Sequence, residues 1–172
     1  MSHDAALFDT VTQLAKQLRN LDAWIAKAVE HAVAKEFDPA NYLELRLAPD
    51  MFTFRRQVQS ACDSAKFVPA RLTGRDAPKH EDGPQSLDEL RARIADVIAY
   101  LEGFEAKDFD GAAERAIAMP FLGDKKILGK DYLTEFALPN HTFHLTLAYA
   151  ILRHAGVALG KRDFIGGLRL ID

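Results

Sequence analysis

Residues 4–35 read DAALFDTVTQLAKQLRNLDAWIAKAVEHAVAK, and the apolar positions in that run decide the fold class. Leu7, Val11, Leu14, Leu18, Leu21, Ile25 and Ala28 are separated alternately by four and three residues. A helix with about 3.6 residues per turn gathers such positions into one stripe, while Lys16, Arg19, Asp22 and Lys27 fall on its other faces. The run predicts a single amphipathic helix from Asp4 to Lys35. It is longer than most globular helices, and that length suits one leg of a helical bundle.

Outward from this helix, Phe37-Asp38-Pro39 is a stop, and Asp38 before Pro39 also reads as an N-cap for a short helical turn over Ala40–Leu45. Pro49-Asp50 marks a second stop, with Asp50 expected to cap the helix that follows. From Met51 to Arg71 the apolar set Phe54, Val58, Ala61, Ala65 and Val68 again has helical spacing. Pro69 is expected to end or kink that helix. Its basic stripe, Arg55, Arg56, Lys66 and Arg71, reads as a solvated face. Gly74 to Gln85 has no periodicity and reads as a mobile surface loop. Ser86-Leu87-Asp88-Glu89 then forms a capping box, opening a third helix from Leu87 to Phe104 with Leu90, Ile94, Val97 and Leu101 on its stripe.

Between Glu105 and Gly129 the helical pattern is lost. Ala116–Phe121 and Lys125–Leu128 read as two short extended segments around a turn, a small β-hairpin with Pro120 unfit for a central strand. A fourth long helix is expected from Lys130 or Asp131 to Ala155, kinked at Leu138-Pro139 and stopped by Gly156. Beyond Asn140 it is apolar on nearly all sides, as a central leg or a subunit contact would be. Val157–Asp172 reads as an extended tail. The fold class is thus all-α: an antiparallel four-helix bundle with a small hairpin before helix four, residues 1–172 forming one domain and 156–172 its tail.

Composition bounds function by exclusion. The chain has 172 residues with 22 basic and 25 acidic side chains, a net charge of −3 and a pI near 6.1. That balance argues against a protein built to bind nucleic acid or an anionic membrane. One cysteine, Cys62, excludes an internal disulfide framework, and its place between Ala61 and Asp63 reads as a packed, inert thiol. No run reaches the ~20 apolar residues of a membrane span. Met1-Ser2-His3-Asp4 is unlike a signal peptide, so a soluble, cytoplasmic protein is expected.

Bundles build their sites from inward-facing polar side chains, and helix four supplies the best of them. Asn140 and His144 lie four apart on one face, and His141 with His144 forms a His-x-x-His pair able to bring two imidazoles near one metal. A histidine among Leu and Phe is also a common hydrogen-bonded core residue. His141, next to Pro139, is expected at the surface, and His154 at the helix end for its dipole. His3, His31 and His80 carry little functional weight. There is no Glu-x-x-His for a di-iron carboxylate site and no His-Glu-x-x-His for a zinc protease. Gly156–Arg162 lacks the spacing and the hydroxyl of a phosphate loop.

Two groups of residues carry a family resemblance. One is Ala137-Leu-Pro-Asn140, Phe143-His144, Ala148-Tyr149-Ala-Ile-Leu-Arg153-His154, Gly156-Val and Leu159-Gly160-Lys161-Arg162-Asp163-Phe164. The other is Arg46-Leu47-Ala48-Pro49-Asp50-Met51-Phe52 with Gln57-Val58-Gln59 and Ala61-Cys62-Asp63. Together they resemble an uncharacterised bacterial family of DinB-like proteins, across essentially the whole chain. It is similar to the wider DinB/YfiT superfamily of metal-dependent four-helix bundles, often dimeric, in which three histidines hold a divalent metal. By that resemblance His144 stands where the second histidine of the last helix belongs and Asn140 where the first belongs. The matching stretch of helix two, Gln57 to Asp63, holds no histidine.

The resemblance therefore implies a degenerate metal site of His144, Asn140 and Gln57, with His141, Asp63 and Tyr149 in the pocket around it. Such a site would bind a small molecule or a weakly held nickel, zinc or iron ion, with His144 as sole imidazole ligand or as general base and Tyr149 or Asp63 orienting it. An alternative is an active metal-dependent transferase or hydrolase in which His141, His144 and Asp63 rebuild a ligand set. A further alternative is a non-catalytic dimeric interaction module. A homodimer is expected, without nucleic acid or membrane partners.

Overall fold

The computed structural model describes residues 3–168, 170 and 171. The readings that fall on Met1, Ser2, Arg169 and Asp172, and on the side chain of His3, lie outside the described residues. Helix α1 runs from His3 to Ala34, matching the stripe. Leu14, Leu18, Leu21 and Ile25 are wholly buried, with Ala28 beside them. Glu36 takes a left-handed φ of 59° where the chain leaves the helix, and a 3-10 turn over Pro39–Glu44 follows, capped by Asp38, whose side chain accepts from the Ala40 amide.

Helix α2 spans Phe54–Thr73. Two expectations are corrected here. Asp50 does not cap it. The chain first makes a turn closed by the Met51 amide on the Ala48 carbonyl, which moves the start of the helix to Thr53, whose hydroxyl accepts from the Arg56 amide. Nor does Pro69 end it. The lost proline N–H removes one ladder bond, but Val68 and Leu72 are fully buried on either side, and their packing carries the helix to Gly74, the left-handed C-cap at φ 83°.

The segment after Gly74 has no regular structure, yet it is tied down. Gln59 donates to the Gly83 carbonyl and the Gln85 side chain, and Arg93 donates to the Glu81 carbonyl. Helix α3, Leu87–Glu102, starts at the expected Ser86–Glu89 capping box. Strands β1 (Ala116–Ala118) and β2 (Lys126–Leu128) pair antiparallel with Ile117 opposite Ile127. Pro120 lies outside both strands, in a 3-10 turn.

The last long segment begins as α4 (Gly129–Asp131), widens into a π-helical stretch over Tyr132–Ala137, and continues as α5, Leu138–His154. The π-helical widening ends just before Pro139. Pro139 then falls in the first turn of α5, where its missing N–H is not required. Gly156, at φ 95°, follows the helix end. The expected extended tail is corrected too: Lys161–Ile165 form a short helix, α6, with Phe164 stacked on Trp24 at 5.6 Å.

The fold is mostly helical with one small antiparallel sheet. Four long helices, α1, α2, α3 and α5, share one core, and shorter helical pieces raise the total above the expected four. Among the described residues no helix is long and apolar enough to cross a membrane.

Candidate functional site

One face of α2 carries Arg56, Ser60, Asp63, Ser64, Phe67 and Arg71, at intervals of three and four residues apart from the adjacent Asp63 and Ser64, so they line up along the helix. Opposite them the last long segment presents Tyr132, Phe136, Ala137, Asn140 and His144, and together with Phe52 these residues line a cleft of about 290 Å³. The two segments run antiparallel. His144 meets Gln57, His141 meets Ala61 and Ser64, and Tyr132 meets Phe67 and Arg71. The cleft thus has a His144 end near Arg56 and an Arg71 end near Tyr132.

At the first end, Gln57 is buried and its Nε2 donates to the Phe52 carbonyl at 3.5 Å. That turns its oxygen toward His144 Nδ1, 2.8 Å away. An amide oxygen can only accept, so Nδ1 carries the proton and Nε2 keeps a lone pair. His144 stacks nearly parallel on Phe52, centroids 6.2 Å apart. Burial and then the Arg56 guanidinium hold the His144 pKa below the ordinary histidine value, which keeps the ring neutral at pH 7.

In the middle, Asp63 sits 2.7 Å from both Lys66 Nζ and Arg93 Nη2. Lys66 also reaches His80 Nδ1 at 3.1 Å, and His80 Nε2 lies 2.8 Å from Asp96. Arg93 further pairs with Asp82 at 3.1 Å, and Arg56 pairs with the same carboxylate. Burial pushes the Asp82 pKa up, but hydrogen bonds and charge from Arg56 and Arg93 outweigh it and hold that carboxyl below its usual range.

His141 is wholly buried, not exposed as expected beside Pro139. The helix continues through the proline, so His141 turns inward. Its Nδ1 donates to the Ala61 carbonyl at 3.1 Å, with Ser64 Oγ 3.0 Å away, and its Nε2 has no protein partner among the described residues. Burial pushes its pKa down to about 4. Cys62 is buried as expected, its thiol pushed up to about 12 by burial.

The structure brings Asn140, His144 and Asp63 to one cleft, with the buried Gln57 behind His144 rather than in the lining, but not Tyr149, which packs on Trp24 and Phe164 at 5.5 and 5.6 Å. Five residues beyond His144, and so about 140° around the helix, its ring points to α1 and α6. The reading of the basic stripe is corrected as well. Lys66 is buried, and Arg56 and Arg71 line the cleft instead of a solvated face. The signal was present: Arg56, Ser60, Phe67 and Arg71 repeat at helical spacing beside the apolar stripe, where a side chain borders the core.

The donor set does not fit a divalent metal. Among the described residues no three His, Cys, Asp or Glu side chains are placed to hold one. His141 does not line the cleft, Asp63 is committed to two cations, and the Gln57 oxygen is committed to His144. The set His141, His144 and Asp63 therefore does not assemble.

Comparison with known proteins places this architecture among relatives. A family model described as "Domain of unknown function (DUF1993)" matches residues 7–165. A crystal structure of a DinB family member from Shewanella denitrificans is similar over 98% of this chain and 97% of that chain, at 46% identity and a TM-score of 0.94. No curated protein matches.

Proposed function

The chain belongs to the DUF1993 family, an uncharacterised family of DinB-like proteins, and from that premise we propose that it is a small-molecule-binding protein whose cleft works without a bound metal. The observation that carries this reading is the Gln57–His144 hydrogen bond at 2.8 Å. It fixes a neutral imidazole with its Nε2 lone pair free to accept a hydrogen bond or a proton from a ligand. Asn140 and Ser60 add polar groups to the same wall, and Phe52, Phe67 and Phe136 add apolar area, the mixture expected of a ligand cleft.

In this reading α1, α2, α3 and α5 form one antiparallel four-helix bundle and the whole chain is one domain. A homodimer forms on the exposed rings of Phe52 and Phe143, which flank His144. A purely structural interaction module would pack His144 without a cavity, whereas here it is half-buried and lines the cleft.

The test joins metal analysis to ligand mapping. Protein purified without a His tag is assayed by inductively coupled plasma mass spectrometry beside His144→Ala, and the chelator-treated protein is screened by NMR against a fragment library. Sub-stoichiometric metal and fragment shifts clustered on Ser60, Asn140 and His144 are expected. Near-stoichiometric nickel, zinc or iron, lost in His144→Ala, would overturn the reading in favour of a metal-dependent transferase or hydrolase. Fragment shifts confined to other surfaces would overturn it as well.

A further inference from the structure

Arg71 stands apart from the other arginines of α2 and α3. Arg55, Arg56, Arg91 and Arg93 each have a carboxylate partner, in Glu44, Asp82, Asp22 and Asp63 respectively. Among the described residues Arg71 has none, although it is half-buried in the wall of the cleft. An unpaired guanidinium removed from bulk water is costly to hold in place without a compensating anion.

The Arg71 guanidinium is nevertheless held in position. Its carbon lies 4.9 Å from the centre of the Phe67 ring and 5.5 Å from that of Tyr132. Its Nη1 donates to the Tyr132 hydroxyl at 3.1 Å, and that hydroxyl in turn donates to the Phe67 carbonyl at 3.3 Å. Nη1 also donates to Met119 Sδ at 3.9 Å, which leaves Nε and Nη2 uncommitted among the described residues, a fork whose spacing matches a carboxylate.

From this arrangement we propose that the cleft binds a flat, unsaturated monocarboxylate, with its carboxylate on Arg71 and its ring or conjugated body against Phe67, Tyr132 and Phe136. The proposal rests on the metal-free small-molecule reading above. A single negative charge is favoured because Arg71 supplies one uncompensated cation facing the cleft, Arg56 being paired with Asp82. The ligand's size follows from the cleft, whose volume of about 290 Å³ lies at the small end of ligand pockets, so a compact body fits.

The test is calorimetric titration at pH 7 with benzoate and cinnamate, each beside its neutral amide, and with acetate and inorganic phosphate. The two aromatic acids are expected to bind about tenfold or more tightly than their amides, acetate or phosphate. Arg71→Gln is expected to lose that advantage with its helical circular dichroism retained, while the exposed Arg153→Gln keeps it. Equal binding of acids and amides, or an Arg71→Gln variant that binds like the parent, overturns the carboxylate assignment. Acetate or phosphate binding as well as benzoate overturns the flat body. If Arg71→Gln does not fold, the acid–amide comparison in the parent protein decides alone. Failure of both acids overturns this proposal, and neutral fragments that still shift Ser60, Asn140 and His144 leave the small-molecule reading standing.

Discussion

The imidazole of His144 donates from Nδ1 to the side-chain oxygen of the buried Gln57, 2.8 Å away, and so joins α5 to α2 at one end of the cleft. A histidine at the Gln57 position would present a ring nitrogen there. Glutamine instead presents an acceptor that selects one tautomer of its partner.

That selection is directly measurable. Two-bond ¹H–¹⁵N correlation spectra at pH 7 are expected to show His144 protonated at Nδ1 and bare at Nε2. Gln57→Leu removes the acceptor, so the tautomer ratio should shift toward Nε2–H and stability should fall by about 1–2 kcal/mol. Arg56→Gln should raise the His144 titration midpoint, since the Arg56 charge is one of the two causes holding it down. A parent spectrum with the proton on Nε2 would falsify the arrangement.

His141 sets an acid limit on stability. Its pKa is about 4 in the folded protein against about 6.5 unfolded. The unfolded chain therefore binds the proton more readily between these values, and stability falls as pH drops from 6.5 toward 4. The full difference amounts to about 3 kcal/mol for this one buried ring. Urea unfolding at pH 7, 5.5 and 4.5 should show a shallower loss in His141→Gln than in the parent. Parallel pH profiles for the two proteins would mean that His141 is not kept neutral by the fold.

Much of this was legible in the residues and part was not, for identifiable reasons. The stripe from Leu7 to Ala28, the Asp38 cap and the Ser86–Glu89 box are local rules, and local rules survive folding. Asn140 and His144 share a face by helical spacing, whereas Gln57 is implied only by the family resemblance. His141 turns inward, against the surface position that its neighbour Pro139 suggests, because the helix runs on through the proline after the π-helical widening at Tyr132–Ala137. Helical spacing puts Arg56 and Arg71 at the border of the core and Lys66 three residues from Asp63, but Asp82, which pairs with Arg56, and Arg93, which shares Asp63 with Lys66, come from beyond the end of α2, where spacing within that helix carries no information. Tyr149 lies five residues from His144, about 140° around the helix, so closeness in sequence does not bring it to the same face.

Asp63 is the hub of the charge network under the cleft. The side chains of Lys66 and Arg93 are 3% and 1% exposed, and both rest on it. Removing one member of a buried pair strands the other charge. Asp63→Ala is expected to cost about 3 kcal/mol in chemical denaturation, whereas Glu114→Ala, which breaks an exposed pair with Lys130, should leave stability nearly unchanged. Equal losses in the two variants would show that the buried network is solvated in practice.

The short helix α6 is the last piece that packing, and not pattern, puts in place. Trp24 is the chain's one tryptophan. It is 1% exposed, its indole N–H donates to the Asp163 carbonyl at 3.2 Å, and Phe164 covers its face. Lys27 pairs with the Asp163 side chain at 2.5 Å, and Asn20 donates to the Phe164 carbonyl at 3.0 Å. Most of what shields Trp24 on that side therefore comes from residues 161–165. Truncation after Gly160 should expose the indole, shifting its fluorescence emission to the red and increasing its quenching by iodide. Phe164→Ala removes the stacked ring but leaves the backbone acceptor, so it should give a smaller shift in the same direction, with a stability loss of about 2 kcal/mol or more. An unchanged emission maximum after truncation would mean that α1 and α5 bury Trp24 without help from α6.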